Sequence, residues 1–291
     1  MNPKTLVFLL ILTIVSKLLS QEIAVPNISS AYLPQSYPLL NPSSIIEDTE
    51  TANILLSRKQ GIGAFSAFNQ NYLNANIRFG NDSIKQNAIG IRVLNDQAGK
   101  YIGISRLSLM YAYTIQISLK TNLSIGAAPT IINYRKNAQS FGGSDQSGNL
   151  DLGIWFNTKK IALGFSINQI FKNKLTVLNE TNTLRTQYII NTKYTHRLSP
   201  TVNIDYHIIY QINQGVRDKQ IIGATINFYK NFRSSFNYEL PGTFYLTTGL
   251  RDLFLPKSKD HINIDLIYGL SATRDGYKSR NVIEIMLNYE F

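Results

Sequence analysis

The sequence predicts an all-β fold, a transmembrane antiparallel up-and-down β-barrel of about 14 strands with a short irregular N-terminal arm. Three observations carry this prediction. Apolar and polar residues alternate through many segments, these segments are longer than ordinary soluble strands, and an export segment stands at the start of the chain. A chain that spans a membrane with strands must close them into a barrel, because open edges would leave backbone groups unpaired in hydrocarbon.

The last segment, from Asn281 to Phe291, has the clearest alternation. Successive side chains of a strand point to opposite faces, so a period of two separates an apolar face from a polar one. Arginine at an apolar position such as Ile285 or Leu287 should therefore cost about 2–4 kcal/mol near the bilayer centre, whereas arginine at Asn288 should be mild. The apolar face consists of Ile283, Ile285, Leu287, Tyr289 and Phe291, and the other face of Val282, Glu284, Met286, Asn288 and Glu290.

The same alternation recurs in residues 106–119, 201–213 and 261–271. These runs are about twice as long as the usual soluble strand of five or six residues, and they match the length that a tilted membrane strand needs. Tyrosines on their apolar faces fit the aromatic girdles of such barrels. Fourteen strands are predicted, near residues 51–59, 69–79, 88–94, 105–118, 123–132, 150–157, 160–169, 185–197, 201–212, 220–229, 232–239, 243–251, 261–272 and 281–291.

An even number of strands places both chain termini on the periplasmic side, where the connections between strands should be short. Longer outer loops are expected at residues 95–104, 133–149, 170–184 and 273–280. Two connections depart from this rule, a short outer turn at 240–242 and a long inner one at 252–260. The pairing of the eleventh and twelfth strands is therefore left open.

The chain divides into three predicted parts. Residues 1–20 resemble a secretory signal peptide, with a lysine before a short apolar core and a small residue at the expected cleavage site after Ser20. Residues 21–50 contain four prolines, which oppose long strands, and form an arm that lies in the periplasm or plugs the lumen. Residues 51–291 form the barrel, which predicts a place in the cell outer membrane.

Composition excludes several classes of function. The chain has no cysteine, so disulfides, thiolate nucleophiles and thiolate metal sites are ruled out. Its formal net charge is +11, but the basic residues are scattered, and an exported chain is not expected to bind nucleic acid. A membrane lipase would need serine and histidine together on the lipid face, yet His207 and His261 fall on polar faces. The sequence predicts no enzyme and no cofactor.

Five polar side chains are predicted to face the lumen. Asp205 and His207 stand two residues apart on one face, and a hydrogen-bonded pair is a simpler interpretation than a metal site. Inward arginines and lysines either favour anions in an open channel or pair with the acidic residues of the arm, at positions 47, 48 and 50. Calcium binding by Asp145 and Asp151 would lack a dense oxygen ligand set. The predicted lumen residues are Asp205, His207, Asp265, Arg92 and Lys193.

Several short sequence features follow one another over residues 21–130 and at the C-terminus. They are Gln21 as the mature start, Asn41-Pro42-Ser43, Arg58-Lys59-Gln60, the glycine-alternating strand and turn from Ile89 to Gly99, Tyr111-Ala112-Tyr113, and the closing run from Glu284 to Phe291. In these features the chain resembles the PorP/SprF membrane proteins of the type IX secretion system of Bacteroidetes. It departs from the family where the usual aromatic and glycine around the Asn-Pro element are missing.

This resemblance implies a non-enzymatic outer-membrane component that helps particular secreted proteins, such as adhesins, to cross or attach at the cell surface, and that is associated with gliding motility. Its expected partners are the lipid bilayer, other type IX components, a secreted substrate and the barrel-assembly machinery. The terminal aromatics Tyr289 and Phe291 resemble the signal which that machinery reads. The alternative is a general solute channel with a weakly anion-selective lumen.

Overall fold

The structure is a computed structural model of the chain. It contains a short helix α1 (Tyr37–Leu40), a 3₁₀ helix (Pro42–Ile46) and sixteen strands in the part of the chain that it describes. That part comprises residues 37–46, 52–62, 68–80, 85–99, 102–137, 142–178, 180–213, 218–229, 231–240, 242–254, 261–271 and 281–290. The strands are β1 (Ala52–Gly61), β2 (Phe68–Phe79), β3 (Lys85–Ala98), β4 (Ile102–Ser118), β5 (Thr121–Asn137), β6 (Gly142–Thr158), β7 (Ile161–Asn168), β8 (Lys174–Val177), β9 (Glu180–Thr183), β10 (Gln187–Arg197), β11 (Val202–Asn213), β12 (Lys219–Phe228), β13 (Phe232–Leu240), β14 (Thr243–Phe254), β15 (His261–Ser271) and β16 (Val282–Glu290).

Fourteen of these strands form a closed antiparallel barrel, which confirms the predicted fold class. Each strand pairs with its neighbours along the chain, except that β7 pairs with β10 across an inserted hairpin. The barrel closes where β1 pairs with β16, from Asn53 opposite Glu290 to Gly61 opposite Val282. Closure leaves none of the fourteen barrel strands with an open edge, as a membrane requires. We call the end of the barrel that holds Ala52 and Glu290 the near end, and the opposite end the far end.

The alternation in the sequence becomes the two faces of the barrel wall. On β16 the side chain of Ile285 is 57% exposed on the outside, while its neighbour Glu284 is fully buried inside. The same division holds on β4, where Leu109 points outward and Met110 inward. An apolar exterior and a more polar interior are the reverse of a soluble protein and suit a barrel in lipid.

Several strands are longer than the sequence predicts. β4, β5 and β6 each have 17 residues, and the loops expected at 95–104 and 133–149 are mostly paired strand. These segments are rich in glycine, asparagine and serine, which favour turns, but pairing with a neighbouring strand extends them: residues 133–136 of β5 pair with β4 and β6, and residues 142–149 of β6 pair with β5.

The third expected outer loop, 170–184, also contains regular structure. It holds the two-stranded hairpin of β8 and β9, from Lys174 opposite Thr183 to Val177 opposite Glu180. The fourth, 273–280, lies outside the described residues.

The pairing that the sequence left open is regular in the structure. β13 pairs with β14 from Phe232 opposite Leu250 to Glu239 opposite Thr243. Gly242, with a positive φ of 128°, permits the tight turn between them, and its N–H donates to the Glu239 carbonyl at 2.8 Å. The irregularity lies one strand later, where a bulge between Leu250 and Leu253 interrupts the pairing with β15. Among the described residues, no helix is long and apolar enough to cross a membrane.

Candidate functional site

The barrel lumen contains residues 37–46, which we call the lumenal plug. The segment consists of α1 and the 3₁₀ helix, and the side chains from Tyr37 to Ile45 are buried. The 3₁₀ helix packs against β3, β4, β5 and β6 from the inside. The predicted arm had two possible places, the periplasm or the lumen, and this part of it lies in the lumen.

Asn41 organises the plug and attaches it to the wall. Its side-chain oxygen accepts hydrogen bonds from the backbone N–H of Ser43 at 3.0 Å and from the Ser43 hydroxyl at 2.6 Å, which shapes the turn between the two helices. Its side-chain amide donates outward to the carbonyls of Ile154 at 3.0 Å and Phe165 at 3.3 Å, on β6 and β7. The Asn41 side chain therefore forms hydrogen bonds both within the plug and to the barrel wall.

Three glycines give Asn41 access to the backbone of the wall. Gly126 and Gly153 lie directly opposite each other on β5 and β6, and Gly164 on β7 pairs with the residue two places beyond Gly153. A Cβ at Gly126 would lie 2.6 Å from the backbone nitrogen of Ser43, and a Cβ at Gly153 would overlap the Asn41 side chain. Only residues without a Cβ allow this close approach. We call these three residues the glycine floor.

Arg92 holds the other side of the plug. Its guanidinium donates to the carbonyls of Pro38 at 3.1 Å and Leu39 at 2.6 Å, and to the carboxylate of Asp151 at 2.7 Å. Arg106 also contacts Asp151, at 3.2 Å. A buried charge is tolerable only when it is paired and hydrogen-bonded, and this network provides both.

The same network uses the carboxylate of Asp151, one of the two residues considered above for calcium. The second carboxylate oxygen of Asp151 accepts the backbone N–H of Gln169 at 2.9 Å, so both its oxygens are occupied by protein donors. Asp145 accepts from Gln146 and Thr176 instead. No group of three or more histidine, cysteine or acidic residues that could hold a metal occurs in the described ranges.

Apolar side chains fill the lumen beside the plug. Tyr37 packs on Trp155 with ring centroids 5.0 Å apart, and the Lys193 ammonium lies 5.6 Å from the centre of the Tyr37 ring. The plug residues join inward side chains from opposite walls in one contiguous cluster. Its members are Tyr37, Leu39, Leu40, Leu55, Tyr72, Leu94, Trp155, Ala162, Ile189, Ile209, Ile221 and Met286.

The hairpin of β8 and β9 folds against the inside of the wall near the far end. Leu175 and Leu184 are fully buried and pack on Ile104 and Ile132, which point inward from β4 and β5. The lumen is therefore occupied at two levels, by the plug and by this hairpin.

The polar residues expected in the lumen have separate partners. His207 is buried and bonds through Nε2 to Asn237 at 2.5 Å. Asp205 accepts from Thr195 at 2.7 Å and from an asparagine on β12, so the two side chains use different partners rather than forming the expected pair. Asp265 is buried in an ion pair with Arg233.

Arg92 and Lys193 are the two members of the predicted set that meet at the plug. The arm acidic residues that were considered as partners of Arg92 lie outside the described residues, and Asp151 takes that place. Tyr289 lies on β16 opposite Ile54 and Ile262, while Phe291 also lies outside the described residues.

Sequence reasoning missed the glycine floor, Trp155 and the true role of Asp151. The glycines carry a usable signal, because each occupies an inward position of a predicted strand, where a side chain is otherwise expected. The Asn41-Pro42 element was visible, but nothing local shows what it contacts.

Comparison with solved structures supports the fold. The chain is similar to the CymD monoaromatic hydrocarbon channel, with a TM-score of 0.57 at 13% identity over 93% of this chain and 95% of that one. It is similar to the Ralstonia pickettii toluene transporter TbuX, with a TM-score of 0.56 at 12% identity over 88% and 92%. A Pseudomonas aeruginosa FadL homologue gives a TM-score of 0.57 at 9% identity over 90% and 94%. No curated protein sequence matches the chain.

The family comparison covers almost the whole barrel. Residues 22–289 match the family described as type IX secretion system membrane protein PorP/SprF. This match includes the lumenal plug, the glycine floor and all but the last residue of the closing strand β16. The chain therefore belongs to the PorP/SprF family of type IX secretion system membrane proteins.

Proposed function

We propose that this protein is a non-enzymatic outer-membrane component of the type IX secretion system that assists the export or surface attachment of specific secreted proteins, such as adhesins. Family membership supports the secretion role, and the filled lumen supports a role other than passive transport. The observation that carries the proposal is the contiguous cluster of plug and wall side chains across the barrel.

A channel for small polar solutes needs a continuous polar path through the barrel. In this barrel, Arg92 binds the plug to β3 and Asn41 binds it to β6 and β7, and Leu39 and Leu40 meet apolar side chains from several strands. A solute would have to break these contacts to pass. The barrel is better suited to presenting its two ends to protein partners than to conducting solutes.

The proposal includes an orientation in the membrane. The near end faces the periplasm, because bacterial barrels with an even number of strands have both chain termini on the periplasmic side. Assembly begins with removal of a signal peptide, and the barrel-assembly machinery recognises the C-terminal end of the chain through Tyr289 and Phe291. The apolar exterior then contacts lipid, and other secretion components meet the exposed ends. In gliding species of Bacteroidetes, the exported adhesin would serve motility.

A second candidate is a solute channel with a weakly anion-selective lumen. The fold similarity to a hydrocarbon channel and a toluene transporter favours this alternative, as does the excess of basic over acidic residues. A hydrocarbon route fits this barrel poorly, since many inward side chains are charged or amide groups. An anion route would require the plug to leave.

Deletion of the gene tests the proposal. The expected result is loss of surface display of one or a few secreted proteins, measured by surface labelling, with normal display of the remainder. Intact secretion combined with altered uptake of small solutes would contradict the secretion role. A gene for a long adhesin directly upstream would support it. Steady, large, anion-selective conductance of the purified protein in planar bilayers would favour the channel.

A further inference from the structure

A polar cavity of about 320 Å³ lies between the lumenal plug and the near end of the barrel. We call it the vestibule. Tyr37 and Pro38 of the plug form part of its lining, and the exposed turn residues Lys159 and Lys160 stand among the wall residues that surround it. Its remaining lining is mostly amide, hydroxyl and charged side chains from the near ends of the strands.

The vestibule has more positive than negative charge. Five cationic side chains line it, against two acidic ones, Asp205 and Glu290. One of the five cations, Arg233, is paired with Asp265 beside the lining, which leaves an excess of two positive charges. Asp205 accepts from Asn227 at 3.0 Å, and Glu290 accepts from Asn288 at 2.5 Å. The cationic residues are Lys159, Lys160, Lys193, Arg233 and Arg251.

Two arginines in the vestibule retain donors for a ligand. Arg233 is 1% exposed and binds Asp265 through Nε and Nη2, but its Nη1 has no hydrogen-bond partner among the described residues. Arg251 lies diagonally across the β13–β14 pair from it, and within the same ranges its buried Nε also has none. A buried guanidinium donor without an acceptor costs free energy, which an incoming oxyanion would recover.

We propose that the vestibule binds a carboxylate-bearing segment of a polypeptide that enters from the near end. Guanidinium groups pair with carboxylates through charge-assisted hydrogen bonds. The volume is far larger than a single small anion needs, and Asn157, Asn227 and Thr195 can bond to a peptide backbone. That the peptide belongs to a secreted protein or a secretion component rests on the proposed function, whereas the charge and geometry of the vestibule do not.

Trp155 provides a direct readout of binding. It is the only tryptophan in the chain, it is 2% exposed, and its ring packs on Tyr37, which lines the vestibule. The full-length mature protein in detergent micelles is titrated with a blocked peptide of alternating glutamate and asparagine, and the fluorescence of Trp155 is recorded. Titration calorimetry on the same samples detects binding that leaves the tryptophan unchanged.

The expected result is saturable binding that weakens as salt is added, since the attraction between the charges is screened. The same peptide with glutamine in place of glutamate should bind at least about tenfold more weakly. Arg251→Gln should weaken binding of the acidic peptide by about tenfold. Arg197→Gln is the matched control, because it removes one positive charge at the near end from an exposed residue outside the vestibule, and it should change the affinity less than about twofold.

Several results would overturn the proposal. Equal binding of the glutamine peptide would show that carboxylates are not recognised. Inorganic phosphate that binds as tightly as the peptide would make the vestibule a small-anion site. A second variant, with Glu47, Asp48 and Glu50 changed to their amides, removes competition by the chain's own carboxylates. Absence of peptide binding to both this variant and the wild type would refute the proposal. These binding results do not depend on the gene-deletion phenotype, so the two ideas can fail separately.

Discussion

Gly153→Ala should release the lumenal plug from the barrel wall. A Cβ at this position would overlap the Asn41 side chain and come within 3.1 Å of the Pro42 ring. Overpacking of a tight contact costs about 1–3 kcal/mol. The displaced Asn41 amide would also lose its two hydrogen bonds to Ile154 and Phe165, each contributing about 0.5–1.5 kcal/mol. A combined cost of about 3 kcal/mol lowers the ratio of docked to undocked plug roughly a hundredfold.

Quenching of Trp155 fluorescence by acrylamide measures this release. The tryptophan is buried between Tyr37 of the plug and Gly164 of the wall, so the quenching slope should rise when the plug leaves. Far-ultraviolet circular dichroism should stay unchanged, because the fourteen-stranded barrel does not depend on the plug for its hydrogen-bond ladder.

Gly148→Ala is the matched control for this experiment. Gly148 lies on the same strand, β6, and no atom lies within 4 Å of the position that its Cβ would take. Its substitution should leave quenching as in the wild type. An unchanged slope for Gly153→Ala, or an equal rise for Gly148→Ala, would refute the idea that the glycine floor holds the plug.

Three further predictions concern the ion network, the two faces of β16 and the hairpin at the far end. Asp151→Asn should lower the free energy of unfolding by about 3–5 kcal/mol in denaturant titrations, because two buried arginines lose their carboxylate, whereas Asp145→Asn, at a half-buried site that accepts backbone N–H groups, should have a smaller effect; similar midpoints for both variants would contradict the network. Ile285→Arg should cost about 2–4 kcal/mol in lipid. Asn288→Arg should cost about 1–3 kcal/mol rather than be mild, because Asn288 is buried and accepts a hydrogen bond from Asn53 on β1; full tolerance there would show that its site is open to water. Leu175→Ala should destabilise the packing of the far-end hairpin by about 2–5 kcal/mol, which would be measured as faster proteolytic cleavage of the hairpin. An unchanged cleavage rate would contradict the packing role of Leu175.

The filled lumen has a consequence for how the protein works with partners. A plug held by Arg92 on one side and Asn41 on the other does not need to move for the barrel to be stable. The vestibule lies between the plug and the near end, and Tyr37 of the plug lines it. A peptide bound there, as proposed above, would contact the plug directly, and its effect on Trp155 would also report whether the plug responds.

The strands and the two faces of the barrel wall could be predicted from local sequence patterns. A period of two is a local property, so β16 and most of its partners could be located from their own residues, as could the inward direction of Arg92 and Lys193. Local patterns were less reliable where turn-forming residues continue a strand, as in β5 and β6, since pairing with a neighbour outweighs propensity there.

The contents of the lumen depend on contacts between residues that are far apart in the sequence. Asn41 bonds to Phe165 across 124 residues of chain, and Arg92 bonds to Asp151 across 59. No local pattern encodes such partners, because each depends on how closed strands and an inserted segment place side chains from distant parts of the sequence. The Asn-Pro element and the inward glycines were visible separately. The folded barrel brings them into contact, because the glycine floor on β5, β6 and β7 packs directly against residues 41–43.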